Sequence, residues 1–289
     1  MRRVIWGAPS FWMERFPLYW GIERGFFADR GIDLRVWYAH GGPELARAVA
    51  DGRVHIGEMG LPPFLAALQG GLQARIVGSS VFQRLDHYLA ARPGVAGTAH
   101  LAGCRIGILS TGSCDTYFIR RMLRAHGIDP DRDVRLVPLG GDYGKPEVFE
   151  SGRVDAAFVV EPQLSLGEHR GLWRVIDRVA DYYPRYQWGI ILAEQGWLRR
   201  ETELAAGLMD AFRRSCRSIA ECPADTIALG SRVFDIPPPV FETALMRDLP
   251  RWQTEGRVDS SGLREALKVQ ADLGPLPPSL RLDGLLHPL

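Results

Sequence analysis

The sequence predicts an α/β protein with two Rossmann-like lobes, each built around a mostly parallel sheet. Hydrophobic segments of strand length alternate with segments of helical period up to about position 200, which is typical of βαβ units. A chain of 289 residues is longer than one typical domain of ~100–200 residues. A weak repeat points the same way, because residues 51–62 read DGRVHIGEMGLP and residues 151–162 read SGRVDAAFVVEP. Two such segments, 100 residues apart, indicate two similar lobes.

The strands are predicted where short apolar segments lie between polar or turn-forming residues. They fall at 3–8, 33–38, 54–58, 74–79, 104–109, 133–138, 154–160, 173–177 and 188–193. Several helices are predicted to begin at proline, which suits the first helical turn because its missing N–H would have no partner there. These earlier helices lie at 17–24, 43–51, 62–69, 113–126, 145–151 and 162–169. The strand pattern then ends, and helices are predicted at 203–221, 223–232, 238–247 and 259–272.

The positions where the chain passes between the lobes are predicted from composition. Residues 91–103 read ARPGVAGTAHLAG and are rich in glycine, proline and alanine, which is typical of a connection. A strand at 188–193 precedes the C-terminal helices, so the chain is expected to return near 180–190. The sequence thus predicts a discontinuous first lobe of residues 1–90 and 190–289, with residues 91–189 inserted as the second lobe.

The composition limits the partners of the protein. Lysine and arginine total 35 and aspartate and glutamate 34, so no wide basic surface is expected for nucleic acid or an anionic membrane. No segment approaches the ~20 apolar residues of a membrane span, so no membrane insertion is expected. The chain begins MRRVIW without the pattern of a secretory signal. We therefore expect a cytoplasmic protein if the sequence is complete, and a periplasmic one if a leader was removed.

The reactive residue types form no recognisable metal or cofactor motif. The four cysteines lack paired C-x-x-C spacing, and the seven histidines show no H-x-x-x-H or H-E-x-x-H pattern. The sequence contains no Walker loop, G-x-G-x-x-G or G-x-S-x-G motif. We expect neither a metal nor a cofactor, and we assign no catalytic residue.

Four segments carry a resemblance to a known family. They read FPLYWGIERGFFADRGIDLRV (16–36), DGRVHIGEMGLPPFLAALQGG (51–71), LAGCRIGILSTGSCDTYFIRRMLRAHGIDPDRDVRLVPLG (101–140) and SGRVDAAFVVEPQLSLGEHRG (151–171). The chain resembles the solute-binding proteins of ABC importers, in the branch that serves nitrate, alkanesulfonates, taurine and the thiamine pyrimidine precursor. The resemblance implies the type II periplasmic binding protein fold, in which a two-strand hinge joins two lobes that close on a ligand in the cleft between them.

One loop is the strongest candidate for binding an anionic group. Ligands of open parallel sheets bind beyond the carboxyl ends of the strands, where helix N-termini direct their N–H groups. Residues Ser110, Thr111, Gly112, Ser113 and Cys114 connect a predicted strand to a predicted helix and offer hydroxyls and backbone N–H groups. Alternatively, Ser113 only caps the helix.

Aromatic and acidic residues near other strand ends complete the predicted site. Aromatic rings would hold a planar or apolar ligand, although each ring could instead pack in the core. Carboxylates would bind a ligand amine, amidine-like nitrogen or hydroxyl. The aromatic candidates are Phe11, Trp12, Tyr19 and Trp188; the acidic candidates are Glu58, Asp142 and Glu161; and Gly42, Gly60 and Ser79 complete the loops.

These observations lead to two functional hypotheses. The first is a binding protein that captures a sulfonate, aromatic carboxylate or pyrimidine-like molecule, with an ABC permease as partner if the protein is exported. The alternative is a cytoplasmic enzyme of the same fold, a decarboxylase or related lyase or a heterocycle-forming enzyme, that acts on an aromatic or heterocyclic acid. Cys114 would then donate a proton, because the helix dipole would lower its pKa. The lack of a recognisable catalytic set favours binding.

Overall fold

The computed structural model describes residues 1–82, 87–111, 113–271, 282–287 and 289. The chain forms two compact units. The first unit comprises Met1–Arg84, Arg185–Val233 and Arg251–Leu289, and the second comprises Leu85–Pro184 and Phe234–Pro250. No helix in the described part of the chain combines the length and apolar character needed to cross a bilayer.

The strands and helices alternate along most of the chain. The strands are β1 (Arg2–Ala8), β2 (Ile32–Tyr38), β3 (Ile56–Gly60), β4 (Ala74–Ser79), β5 (Tyr88–Ala91), β6 (Arg105–Ile108), β7 (Arg135–Pro138), β8 (Ala156–Val159), β9 (Arg174–Arg178) and β10 (Gly189–Glu194). The first seven helices are α1 (Phe16–Glu23), α2 (Gly42–Ala50), α3 (Leu61–Gln69), α4 (Cys114–Ala125), α5 (Glu147–Glu150), α6 (Gln163–His169) and α7 (Val179–Tyr182). The others are α8 (Gln195–Arg200), α9 (Thr202–Ser218), α10 (Pro223–Phe234), α11 (Pro238–Asp248), α12 (Ser260–Ala271) and α13 (Leu282–Leu285).

Each unit contains one five-stranded mixed sheet. The strand order is β2-β1-β3-β10-β4 in the first unit and β7-β6-β8-β5-β9 in the second. In each sheet the strand in the fourth position, β10 or β5, is antiparallel to both of its neighbours, and the other described pairs are parallel. The two sheets therefore share one topology, and the predicted fold class of two mostly parallel α/β lobes is confirmed.

The sequence repeat corresponds to equivalent positions in the two sheets. Gly7 of β1 pairs with Gly57 of β3, and the residues 100 positions later, Gly107 and Ala157, pair in the same way. Side chains at the equivalent edge also match: the Ile5 N–H donates to His55 Nδ1 at 2.9 Å, and the Arg105 N–H donates to Asp155 Oδ2 at 2.8 Å. The repeat therefore marks the same strand pairing in both units.

Close packing of the first sheet requires a small residue in β1. A Cβ added at Gly7 would lie 2.4 Å from Leu45 Cδ1, so a helix-borne leucine occupies the space that any larger residue would need. On β1, the side chain of Trp6 packs against Phe212 of α9, with ring centroids 5.2 Å apart. The Trp20 indole of α1 donates to Ser218 Oγ at 2.8 Å, which joins α1 to α9. Helices therefore cover the sheet and leave the strand ends to form loops.

Two predicted features of the chain path differ from the division into compact units. Residues 91–103 were expected to connect the lobes, but Tyr88–Ala91 already forms β5 of the second unit, paired with β8 and β9. A four-residue apolar segment has too little periodicity to be recognised as a strand. Phe234–Pro250 also belongs to the second unit, whereas the sequence placed it in the first lobe. The reason is that Arg247 of α11 pairs with Glu161 and Glu168.

The predicted lobe boundaries at 90/91 and 189/190 stay a prediction. The predicted lobes differ from the compact units mainly in the placement of α11. The helices that begin with proline are confirmed, since α1, α2 and α3 each carry proline in their first turn. The predicted helix at 203–221 is divided into α9 and a short 3-10 helix, Ile219–Glu221. Short helices α7 and α8 were not predicted, because four to six residues give no clear helical period.

Candidate functional site

Three parallel strands of the first unit bring polar and aromatic residues to one edge of its sheet. After β1 the chain forms a short 3-10 helix, Met13–Arg15, and β2 ends at Tyr38. Glu58 lies two residues before the end of β3. Because β1, β2 and β3 are parallel, these positions lie at the same edge of the sheet.

Aromatic side chains form a surface at this edge. The Phe11 ring, 37% exposed, meets Tyr19 and Tyr38 edge to face, with centroid distances of 5.9 Å and 5.4 Å. The two tyrosine hydroxyls are hydrogen-bonded at 2.9 Å. Burial raises the pKa of Tyr38, so its hydroxyl stays neutral. We call Phe11, Tyr19 and Tyr38 the aromatic patch. Trp12, also predicted to contact ligand, is half-buried and precedes the 3-10 helix.

Below the aromatic patch in the same unit lies a buried group of three charged residues. Glu14, Arg15 and Glu58 are 3%, 2% and 0% exposed. Arg15 forms an ion pair with Glu14, and Arg15 Nε lies 3.9 Å from Glu58 Oε2. We call these three residues the charged cluster. When all three are ionised, two negative charges face one positive charge.

The electrostatics of the charged cluster follow from its burial. Burial raises the pKa of Glu58, while the nearby Arg15 and the Trp6 indole act in the opposite direction. Burial also lowers the pKa of Arg15, and the charge of Glu58 opposes that shift. Among the described residues, no donor meets hydrogen-bond geometry with either oxygen of Glu58. The carboxylate therefore lies next to the charge of Arg15 and the indole N–H of Trp6, without a partner in good hydrogen-bond geometry among the described residues.

Glu14 and Arg15 were not predicted as site residues. The signal was present in the sequence, because residues 11–18 read FWMERFPL and place two adjacent opposite charges inside an apolar segment that directly follows a strand. Charged residues are almost never fully buried unless they are paired. An ion pair within such a segment can therefore indicate a buried polar centre at a strand end.

Two other predicted residues of the first unit have structural partners. Ser79 is fully buried; its hydroxyl lies 3.2 Å from the Gly189 carbonyl and accepts a hydrogen bond from Gln187 Nε2 at 2.8 Å. A Cβ at Gly42 would lie 2.4 Å from Pro63 Cβ, so the close approach of α2 and α3 requires glycine there. These contacts explain both residues through packing, and their predicted contact with ligand stays a prediction.

Gly60 and Trp188 lie at the same edge of the first sheet. Gly60 ends β3 and pairs with Gly189, the first residue of β10, and Trp188 directly precedes that residue. Both Gly60 and Trp188 are buried. The first unit thus places Phe11, Trp12, Tyr19, Gly42, Glu58, Gly60, Ser79 and Trp188 near the strand ends at this one edge.

In the second unit, the predicted anion-binding loop surrounds a carboxylate. Asp115, only 5% exposed, lies in the first turn of α4, where its Oδ2 accepts the Leu109 N–H at 2.6 Å. The Ser113 hydroxyl donates to the same carboxylate, and the Thr116 hydroxyl donates to the Ser110 carbonyl at 3.0 Å. Burial raises the pKa of Asp115, and the Ser113 hydrogen bond opposes this. The positive end of α4 therefore already faces a negative side chain.

The other residues of this loop are only partly described. Ser110 and Ser113 are half-buried and Thr111 is exposed. Ser113 is the N-cap residue of α4, although its side chain makes no capping hydrogen bond, so the alternative that it serves only as a cap stays open. Gly112 lies outside the described residues. The backbone of Cys114 begins α4, but its side chain is also outside them.

Asp142 and Glu161 have partners within the second unit. Asp142 pairs with Lys145 at 3.1 Å and Arg153 at 2.9 Å, and hydrogen bonds from these two residues lower its pKa. The buried Glu161 accepts the Ser165 N–H at 3.0 Å and pairs with Arg247 at 2.7 Å. Burial raises the pKa of Glu161, and Arg247 opposes the shift. Their predicted contact with a ligand amine or hydroxyl remains a prediction.

The described residues contain no group of three or more His, Cys, Asp and Glu side chains that could hold a metal ion.

The fold is that of the periplasmic binding proteins. The alkanesulfonate-binding protein SsuA from Xanthomonas axonopodis pv. citri, solved with MOPS bound, matches with a TM-score of 0.81 and 19% identity. The match covers 99% of this chain and 98% of that chain. The chain belongs to the NMT1/THI5-like family, which matches residues 12–226.

Two curated proteins are similar in sequence. The binding protein YtlA of Bacillus subtilis (strain 168) is 22% identical over 236 residues, which cover 80% of this chain and 71% of the relative. The formylaminopyrimidine-binding protein of Halalkalibacterium halodurans is 23% identical over 214 residues, covering 73% of this chain and 64% of the relative. The predicted resemblance to solute-binding proteins is confirmed.

Proposed function

We propose that this protein is a solute-binding protein that captures a small organic molecule and delivers it to an ABC importer. The observation that carries the proposal is the aromatic patch above the buried charged cluster at one sheet edge, in a chain of the NMT1/THI5-like family. The fold alone hosts many activities, so the proposal needs this local chemistry.

The aromatic patch suits a planar or apolar part of the ligand. Phe11 presents an exposed ring that Tyr19 and Tyr38 hold from behind, so little side-chain entropy is lost when a ligand ring contacts it. The contacts of aromatic pairs contribute ~0.5–1.5 kcal/mol each beyond burial. A micromolar affinity, about −8 kcal/mol, is within reach of such contacts plus a few hydrogen bonds.

The remaining predicted contacts are part of the proposal. In the first unit, Trp12 and Trp188 would add ring surface and Gly60 a close backbone approach. In the second unit, the loop with Ser110, Thr111 and Ser113 would offer hydroxyls. Gly112, Cys114, Asp142 and Glu161 stay proposed contacts without further structural support, and Gly42 and Ser79 would act through packing.

The proposed partner is the permease of an ABC importer, and the proposed place of work is outside the cytoplasmic membrane. The support is the class of the relatives, which are named as binding proteins for formylaminopyrimidine and alkanesulfonate. Sulfonates, aromatic carboxylates and pyrimidine-like molecules are the solutes proposed for testing.

The experiment is a thermal-shift screen of the purified protein over sulfonates, aromatic carboxylates, pyrimidines and amino acids. Each hit is titrated by calorimetry and then recovered for mass spectrometry. A saturable shift with the solute recovered unchanged supports the proposal. Conversion of the solute with multiple turnovers, or the absence of saturable binding across the screen, contradicts it.

A further inference from the structure

We infer that the charged cluster of the first unit recognises a cationic nitrogen group with planar N–H donors, of the amidinium or guanidinium type, with Glu58 as its acceptor. The inference rests on the proposed function and names the chemical class of its solute. Glu14 and Arg15 take part as positioning residues, because they act through the charge and placement of Glu58.

The first argument is the charge balance. Glu14, Arg15 and Glu58 are each at most 3% exposed, so water screens their charges little. With all three residues ionised, two carboxylates around one guanidinium leave one negative charge without a counter-charge, a state that burial disfavours by raising the pKa of Glu58. A cationic ligand group would neutralise that charge, whereas a sulfonate or nitrate would add a further negative charge at a buried site.

The second argument is the unused hydrogen-bonding capacity of Glu58. The Trp6 indole is a donor next to Glu58, yet neither Glu58 oxygen accepts a hydrogen bond with good geometry from a residue that the structure describes. At 3.9 Å, Arg15 Nε is too far for a direct hydrogen bond. A planar N–C–N group can donate two parallel hydrogen bonds to one carboxylate, which gives both strength and a fixed orientation.

The third argument is the position of the cluster next to the aromatic patch. Tyr38 belongs to the patch, and both Arg15 and Glu58 are close enough to act electrostatically on its hydroxyl. Burial raises the pKa of Glu58, and the charge of Arg15 acts against that rise. We therefore expect a ligand that stacks a ring against Phe11 to direct its charged substituent toward Glu58.

The test compares three probes with the same ring and different charges: benzamidine, benzoate and benzenesulfonate. Their binding to the full-length protein is measured by calorimetry at pH 7. We expect benzamidine, as its cation, to bind at least tenfold more tightly than either anion. Equal or tighter binding of an anion overturns the inference and leaves solute binding itself intact.

Variants then locate the effect. Glu58→Gln should weaken benzamidine binding at least tenfold and abolish the preference over benzoate, while Glu23→Gln, an exposed acid of α1, should change neither. Unchanged benzamidine affinity in Glu58→Gln overturns the inference. If Glu58→Gln does not fold, Glu14→Gln and the three-probe comparison on the unmodified protein still decide whether the inference holds.

Failure of all three probes to bind also overturns the inference. The proposed function is then judged separately by the solute screen, because a saturable hit of another class would uphold binding without the cationic preference. The two hypotheses therefore fail in distinguishable ways.

Discussion

Arg15 and Glu58 form an ion pair that joins the loop after β1 to the end of β3, with Nε and Oε2 3.9 Å apart and both side chains buried. Removing two such charges from water costs several kcal/mol per ion, which their attraction offsets only in part. Because Glu14 adds a second carboxylate beside the same guanidinium, the cluster is a less stable arrangement than a neutral core would be. Such a cost is typical of a site kept for function.

Replacing Glu58 by glutamine should stabilise the ligand-free protein at neutral pH. Burial raises the pKa of Glu58 above its ordinary value of about 4.3, so the folded protein resists the charge that the unfolded chain accepts. Below the ordinary pKa, Glu58 is protonated in both the folded and the unfolded protein, so its burial costs no stability through ionisation. As the pH rises from the ordinary pKa toward the pKa in the folded protein, the unfolded chain ionises first and the folded state loses stability. Melting temperatures at pH 4 and pH 7 measure it.

We expect the melting temperature of Glu58→Gln to exceed that of the unmodified protein, and the difference to be larger at pH 7 than at pH 4. The control is Glu23→Gln, whose exposed pair with Arg232 should contribute little. A lower melting temperature of Glu58→Gln at pH 7 would show that attraction to Arg15 outweighs the cost of burial.

Replacing Arg15 by methionine should destabilise the protein strongly. The change leaves Glu14 and Glu58 buried without their counter-charge, and breaking a buried pair costs roughly 3–5 kcal/mol. The double variant Arg15→Met/Glu58→Gln should recover part of that loss, since only one carboxylate remains. Urea unfolding measures the free energy of unfolding of the single and of the double variant. A double variant no more stable than Arg15→Met would contradict the coupling.

Replacing Phe11 by alanine should weaken ligand binding more than tenfold with little effect on folding. The ring is 37% exposed and meets Tyr19 and Tyr38 edge to face, so we expect a large part of its contribution in the complex. Calorimetric titration of the solute found in the screen measures the affinity. Ile22→Ala, at an exposed apolar position of α1, is the matched control. Equal affinity in Phe11→Ala would remove the ring from the site.

Replacing Arg247 by methionine should loosen α11 from α6 in the second unit. Arg247 lies 2.7 Å from the buried Glu161 and 2.8 Å from Glu168, and its loss leaves a buried carboxylate poorly paired. We expect a loss of ~1–3 kcal/mol, the usual cost of an unsatisfied buried polar group. Hydrogen exchange of α6 and α11 reports it. Arg232→Met, in an exposed pair, serves as the control, and unchanged exchange in Arg247→Met would contradict the role.

The alternation of strands and helices could be predicted because it depends on local periodicity and on proline in first turns. The repeat around residues 55 and 155 also predicted equivalent pairing in two sheets. Glu58 lies two residues before the end of β3, and its contact with ligand remains a prediction. These features are set by neighbours close in the sequence.

The tertiary structure alone decided the strand order, the antiparallel position of β5, the place of α11 with the second unit and the pairing of Arg15 with Glu58. Each of these depends on contacts between residues far apart in the chain, where local periodicity carries no information. The placement of charge likewise depends on tertiary contacts. The composition gives a net charge of +1, but only folding buries two carboxylates around one guanidinium. The chemistry of the site follows from that burial.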